Sequence, residues 1–402
     1  MAVSTAEVGG PPGAKTTHPA GTIGTWPLVG VVLASLGGPL ALAALYVPHV
    51  LADAHASAGL AALAAAVVFL VPLAVWLGYS RHVQSAGGLF AFVEAAAGRQ
   101  VALVQGALWV FSYLLYLLTT TAEIVRDVLP DAVPGSSRHT GLVEFLVPVS
   151  LVAVALAGRR VTLGVLGVVG FGQLGLTALL AGVGLTHVGV QPAGFAPGAP
   201  AGSLATATAQ TSLLYVCGSL PLFLGGELRR PAVTMRRGIV VGYALAATAV
   251  VAAVVPLAAR PSTSRAGLPG VDLAAQFTGR PVWLSIGIGV AVSIAGVMLL
   301  EYVALTRLLH HVTGRSVRGL TIAVGLVLLA SAPLTLAFPD LYDHLLKPSL
   351  IALWASQLVV FLVYPRFARR YGASPVLTWC LTVGASAFAL YGMWATLGHD
   401  LG

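Results

Sequence analysis

Two short stretches interrupt long apolar runs with small residues followed by a proline: Ser35-Leu36-Gly37-Gly38-Pro39 and Cys217-Gly218-Ser219-Leu220-Pro221. Proline lacks an N–H and clashes with the preceding helical turn, and glycine accepts non-helical backbone. Each stretch therefore predicts a helix that stops and restarts. The N-terminus of a restarted half carries free N–H groups and a partial positive charge, which suits a carboxylate. The plainer alternative is a kink, because Gly and Pro are common in membrane helices. Glu301 is a second candidate, an acid deep in an apolar run, where a carboxylate is costly and marks a functional site. It reads as a proton-coupling group, or as a carboxylate facing a vestibule or paired with a polar neighbour. Glu227 closes another apolar run beside Arg229, Arg230, Arg236 and Arg237. It reads as an ion pair that holds the loop, or as part of a gate. Glu123, Arg126 and Asp127 have the spacing of local helix-end pairs, with a gate as the alternative.

Other motifs carry less. The only G-x-G-x-x-G match noted, Gly170-Phe171-Gly172-Gln173-Leu174-Gly175, lies inside an apolar run with no strand before it. It predicts close helix packing rather than a dinucleotide site. No phosphate-binding loop surrounds Lys15 or Lys347, the two lysines, so ATP-driven transport by this chain alone is not expected. His310-His311 supplies too few ligands for a metal centre. Cys217 and Cys380 both fall in apolar runs and make no disulfide framework. No metal and no cofactor is implied.

The elements that position these residues follow from composition. The chain has 402 residues, with 21 basic, 13 acidic and 57% hydrophobic ones, and a mean hydropathy of +0.92. Charged residues make up 8%, against about 25% for a soluble domain. That excludes a soluble enzyme and a disordered chain and leaves a multi-pass protein of the lipid bilayer. The net charge of +8 does not indicate nucleic acid, because the arginines form short clusters between apolar runs. A helix crosses the bilayer with about 20 apolar residues. This ruler gives an all-α polytopic protein of about eleven spans, at roughly 27–50, 57–79, 100–128, 141–158, 161–186, 206–226, 238–259, 281–309, 319–337, 346–365 and 374–397. Residues 1–25 read as a disordered cytoplasmic tail and 26–402 as a single transmembrane domain. Most basic residues, among them Arg81, Arg99, Arg159, Arg160, Arg307, Arg318 and Arg366, fall on one side of this topology. Arg138, Arg260, Arg265, Arg280 and Lys347 fall on the other. The positive-inside rule then places the N-terminus in the cytoplasm and the C-terminus outside. The two breaks are five spans apart, the mark of an inverted repeat with its substrate at the repeat interface. Repeat 1 covers about 27–186, repeat 2 about 206–365, and 374–397 is an extra helix.

Three segments resemble the amino acid–polyamine–organocation (APC) superfamily of permeases. Ser85-Ala86-Gly87-Gly88-Leu89-Phe90-Ala91-Phe92-Val93 runs on to Gly98, then Gly106 and Trp109. It is similar to that family's Gly-Gly-x-aromatic-x-aromatic-Val pattern before span 3. Gly226-Glu227-Leu228-Arg229-Arg230-Pro231 looks like its acidic–basic–Pro stretch after span 6. Thr306-Arg307-Leu308-Leu309 is similar to its Ser-Arg-Leu-Leu at the end of span 8.

The resemblance implies a LeuT-type five-plus-five inverted repeat with discontinuous helices 1 and 6. It implies secondary active transport of an amino acid or related amine across the cytoplasmic membrane by alternating access. Coupling would be to H+ or Na+, or by exchange. It assigns substrate contacts to Ser35, Leu36, Gly37 and Gly38, an opposite wall to Tyr215, Cys217, Gly218 and Ser219, and closure to Tyr113 or Tyr116. Gln173 falls where proton-coupled relatives carry a lysine, and a Gln cannot titrate. Two further departures are Gly-Gly-Pro in span 1, where the family has Gly-x-Gly and a β-branched residue, and eleven spans where many members have twelve. Other readings are transport of a polyamine, another organic cation or a nucleobase, and a non-transporting membrane sensor or scaffold.

Overall fold

The computed structural model describes residues 21–190, 192–258, 267–338 and 341–398. Among these, eleven helices are long and apolar enough to cross a membrane. Spans 1 to 5 are Thr25–Leu51, Ala58–Ser80, Arg99–Ala132, Ser136–Leu156 and Arg159–His187. Spans 6 to 11 are Ala201–Glu227, Pro231–Leu257, Arg280–Thr313, Val317–Leu334, His344–Arg370 and Pro375–Leu397. Each corresponds to an expected span, and among the described residues the only β-pairing is an isolated bridge between Ile23 and Leu228. Lys15, Arg260, Arg265 and the expected external C-terminus lie outside the described residues.

Burial separates an inner bundle from a lipid-facing shell. The apolar window of span 1 is 89% buried and that of span 6 is 72%, whereas span 4 is only 17% buried. Span 1 packs against spans 5, 6, 7 and 8, and span 3 packs chiefly against span 10. The outer faces of spans 5, 9 and 11 expose Val168, Leu326 and Val376, which an apolar solvent accommodates. The glycine-rich stretch of span 5 does pack closely, through one residue only. Gly170 lies directly on the Gly30 carbonyl of span 1, while Gly172 and Gly175 face open space.

Span 1 breaks where expected. Its first half ends at Ser35 and the helix resumes at Pro39. Gly37 and Gly38 take φ of 71° and 69°, a region that side chains with a Cβ rarely enter. Span 6 breaks slightly earlier than its proline suggests. The α-helix ends at Leu213, and residues Val216–Glu227 continue as a tighter 3-10 helix through Pro221. Runs this long are unusual in 3-10 form and mark functional hinges or strain. Pro221 keeps the segment from returning to α geometry at Cys217, since it supplies no N–H and its ring crowds the carbonyl four residues back, but it does not account for the start of the change at Leu214.

Three features correct the sequence reading. The tail expected over 1–25 lies outside the described residues as far as 20. Its last part is not loose, because Ile23 is buried, donates its N–H to the Glu227 carbonyl at 3.3 Å and accepts from Arg229 N at 2.9 Å. Chain entering span 1 is thus pinned to the end of span 6. Two short helices were also not anticipated. Gly88–Ala97 packs on spans 3, 6 and 10, and Arg370 donates to its last carbonyls, Ala95 O at 2.6 Å among them. Pro269–Phe277 packs on spans 5 and 8.

Candidate functional site

The two breaks touch each other. A Cβ on Gly37 would lie 2.8 Å from the Leu214 carbonyl, and one on Gly218 would lie 2.6 Å from Leu36 Cδ2. Ser35 turns its hydroxyl back to the Val32 carbonyl at 2.8 Å, and Gly37 N reaches Ser35 O at 2.8 Å. The backbone groups released by the break of span 1 are taken up by side chains from spans 5 and 8. Gln173 Nε2 donates to Leu33 O at 2.8 Å, and Ala41 N donates to Ser293 Oγ at 3.4 Å. Ser293 Oγ in turn donates to Gln173 Oε1. Gln173 and Ser293 therefore bridge the two halves of span 1, all of it buried. Gly38 sits against both side chains. Gln173, expected as a coupling position, is here a neutral clamp on the broken helix.

A second polar cluster lies further along span 8. Glu301 is 0% exposed; its Oε1 accepts from Cys217 Sγ at 3.7 Å and its Oε2 has no hydrogen-bond partner. Gln357 of span 10 donates to Ser219 Oγ at 3.4 Å and leaves its own Oε1 without a partner. Tyr113 of span 3 places its hydroxyl beside Cys217, Ser219 and Glu301. Its ring stacks on Trp109 at 4.1 Å, which packs on Phe223 of span 6 at 4.7 Å. Four helices thus converge on one buried carboxyl. An ionised carboxylate with a thiol donating to one oxygen and no hydrogen bond to the other is poorly compensated in such a place.

The remaining expected residues divide. Cys217, Gly218, Ser219 and Tyr113 meet Leu36 and Glu301 at the centre. Tyr116 is half-buried, with its ring 6.5 Å from that of Tyr113. Tyr215 turns the other way, with its ring 5.5 Å from Phe69 of span 2 and 5.6 Å from Tyr243 of span 7. Sequence reasoning missed Ser293 and Gln357, whose only signal is a polar side chain in an apolar span. It also missed Glu144, a buried carboxyl in span 4.

Ion pairs lie at the basic end of the bundle. Glu227 does not pair with the neighbouring arginines of its own loop. Arg307 Nη2 reaches Glu227 Oε1 at 2.8 Å and Arg159 Nη1 reaches Oε2 at 3.9 Å. Two of the segments recognised in the sequence, around Glu227 and Arg307, are thus brought together and tie spans 5, 6 and 8. At the opposite end Glu123 reaches across the bundle rather than only along its own helix. Its Oε1 accepts from Tyr46 of span 1 at 2.7 Å. His310 Nδ1 lies 2.6 Å from Arg315 O, and His311 Nε2 lies 3.8 Å from Glu94. Between these two ends the central groups are buried.

No protein-family model matches the sequence, and no curated protein matches it. Solved structures share its fold. The chain is similar to the manganese transporter of Eremococcus coleocola, with a TM-score of 0.64 and 9% identity over 93% of this chain and 86% of that one. It is similar to a sodium-coupled sialic acid symporter in a substrate-bound outward-open state, at 0.61 and 10% over 94% and 90%. It is similar to MhsT in complex with L-phenylalanine, at 0.63 and 14% over 94% and 99%. At these identities the likeness establishes the fold. This is an all-α LeuT-type membrane fold with discontinuous helices 1 and 6, and its structural neighbours are secondary transporters rather than enzymes.

Proposed function

We propose that this chain is a secondary active transporter of the APC superfamily in the cytoplasmic membrane. It moves an amino acid or related amine by alternating access. Its N-terminus and basic end face the cytoplasm and its C-terminus the outside, as the charge asymmetry supports. The observation that carries the reading is the contact of two broken helices beside Glu301, whose Oε2 lacks a partner. The break of span 1 takes the substrate carboxylate, with Ser35, Leu36, Gly37 and Gly38 framing it. Glu301, Cys217, Gly218, Ser219 and Tyr113 take the amine.

The energy source is a proton or an exchanged second substrate. Broken-helix carbonyls coordinate cations in many transporters, but here the Leu33 carbonyl already holds the Gln173 amide. That supports Glu301 rather than a sodium ion as the coupling element. A purely cationic amine is the second reading, supported by an acid at the cluster with no basic side chain among the residues named there.

Uptake of labelled amino acids and amines into proteoliposomes, with and without a pH gradient, tests the proposal. Uptake or exchange of at least one is expected; none for any amino acid or amine would remove the substrate claim. Glu301→Gln is expected to abolish stimulation by the gradient and preserve exchange. An unchanged pH dependence returns Glu301 to a structural role. Loss of exchange as well makes it the amine's counter-ion.

A further inference from the structure

The central cluster does not account for a group of arginines at the basic end of the bundle. A cavity of about 490 Å³ opens at the basic end between the ends of spans 4, 5, 6, 8 and 9. Arg159, Arg307 and Arg318 line it, against one carboxylate, Glu227. One acid cannot neutralise three guanidinium groups. Arg307 engages Glu227 through Nη2, while its Nη1 is buried with no hydrogen-bond partner. Arg159 contacts Glu227 only at 3.9 Å, and its Nη2 donates to Thr22 Oγ1 at 2.7 Å. Arg318 is exposed.

The backbone adds to the same charge. Gly158 and Val317 also line the cavity, so the N-terminal ends of spans 5 and 9, of 29 and 18 residues, border it. Those ends carry the positive pole of each helix dipole, with Gly319 N of span 9 capped by the Ser316 hydroxyl at 3.2 Å. Guanidinium groups bind phosphate oxygens through paired, directed hydrogen bonds. Spans 4, 5 and 9 are the three least buried, so the cavity borders the lipid as well as water. Basic pockets between helices at such a level hold acidic lipid headgroups.

We propose that this cavity is a binding site for a phosphate-class anion, supplied as free phosphate or as the headgroup of an anionic lipid. The anion meets Arg318 and Arg159 beside the Arg307–Glu227 pair, which stays in place, and joins the ends of spans 5, 8 and 9. The inference does not depend on which solute the central cluster takes.

The test uses the purified full-length chain and reads its thermal midpoint. In detergent it is titrated with inorganic phosphate, and with chloride at matched ionic strength. In nanodiscs, phosphatidylcholine alone is compared with phosphatidylcholine mixed with phosphatidylglycerol. A rise with phosphate and not chloride assigns a free anion; a rise with phosphatidylglycerol and no response to phosphate assigns a headgroup. In either case Arg318→Gln weakens the effect about tenfold or more, the loss of one charge-assisted contact. Arg237→Gln, on an exposed arginine outside the cavity, leaves it intact. Arg318 has no part in the Glu227 pair, and the midpoint of each variant in chloride reports its folding. Arg318→Lys keeps the charge and is expected to retain part of the response. No rise with either probe overturns the proposal, and so does a rise of equal strength in Arg318→Gln and the wild type.

Discussion

Gly38→Ala perturbs the clamp on span 1 and leaves every other contact in place. The added methyl group would press on Ser293 Oγ well inside van der Waals contact and lie 3.0 Å from Gln173 Oε1. Alanine must also adopt a φ of 69°, which costs about 1–2 kcal/mol for a residue with a Cβ. Ser293 has to move, and its hydrogen bond to Gln173 is lost in a buried setting, at about 1–3 kcal/mol. The 3.4 Å contact from Ala41 N is too long to add much. The total is about 2–5 kcal/mol, at the high end for one methyl group. The matched control is Gly172→Ala on span 5, where the new Cβ meets nothing within 4 Å. It is expected to stay within about 1 kcal/mol of wild type and to stabilise if anything. Thermal midpoints of the purified proteins give the comparison. Combining Gly38→Ala with Ser293→Ala removes the atom that is struck, so the double variant should be more stable than the two single losses predict. Equal midpoints for Gly38→Ala and Gly172→Ala would refute the clamp.

Other expectations concern the two ends of the bundle. Tyr46→Phe removes the 2.7 Å bond to Glu123 and should lower stability by about 1–3 kcal/mol, because the carboxyl loses a donor in a part-buried place; an unchanged midpoint would mean that Glu123 finds an equal partner. Glu227→Gln and Arg307→Gln should show a coupling of about 1–3 kcal/mol in a double-mutant cycle, since the pair is close and largely buried. Additive losses would show that the two side chains are neighbours without being partners. Asp272, outside the spans, has its pKa raised by burial and then by the nearby Asp131 carboxylate. The folded chain therefore holds that proton to higher pH than the unfolded chain, and stability falls as pH rises from the ordinary Asp value to the folded one. Asp272→Asn should raise the thermal midpoint at neutral pH and not near pH 3; a gain that does not depend on pH would contradict this.

Span number and the site of the first break were legible because each rests on a local signal. Eleven apolar runs give eleven helices, and Gly37-Gly38-Pro39 leaves a helix no regular continuation. The second break was legible only in part. Pro221 marks the segment, but the change from α to 3-10 geometry starts at Leu214, where no residue type announces it. The partners were not legible, since they come from other spans. Glu227 stands beside four arginines in sequence and pairs with Arg307 and Arg159 instead. Tyr215 belongs to the same segment yet packs on Phe69 and Tyr243, because it sits at the joint before the 3-10 helix begins at Val216. Ser293 and Gln357 are ordinary polar residues until the fold places them against a break and a hydroxyl.

Span 8 explains why few charges suffice in this fold. Ser293 and Glu301 are eight residues apart, about 12 Å along the helix and a little over two turns. The first serves the broken backbone, and the second is a carboxyl whose Oε2 has no hydrogen-bond partner. Had the released Leu33 carbonyl and Ala41 N–H been met by ionised side chains, each charge would have needed its own counter-charge inside the membrane. Gln173 and Ser293 satisfy them with neutral donors and acceptors, and their mutual hydrogen bond closes the circuit. The structural problem of a discontinuous helix is thus solved without charge. That leaves the carboxyl of Glu301 free to respond to a proton or a cation, two turns away from the joint it would otherwise have to hold.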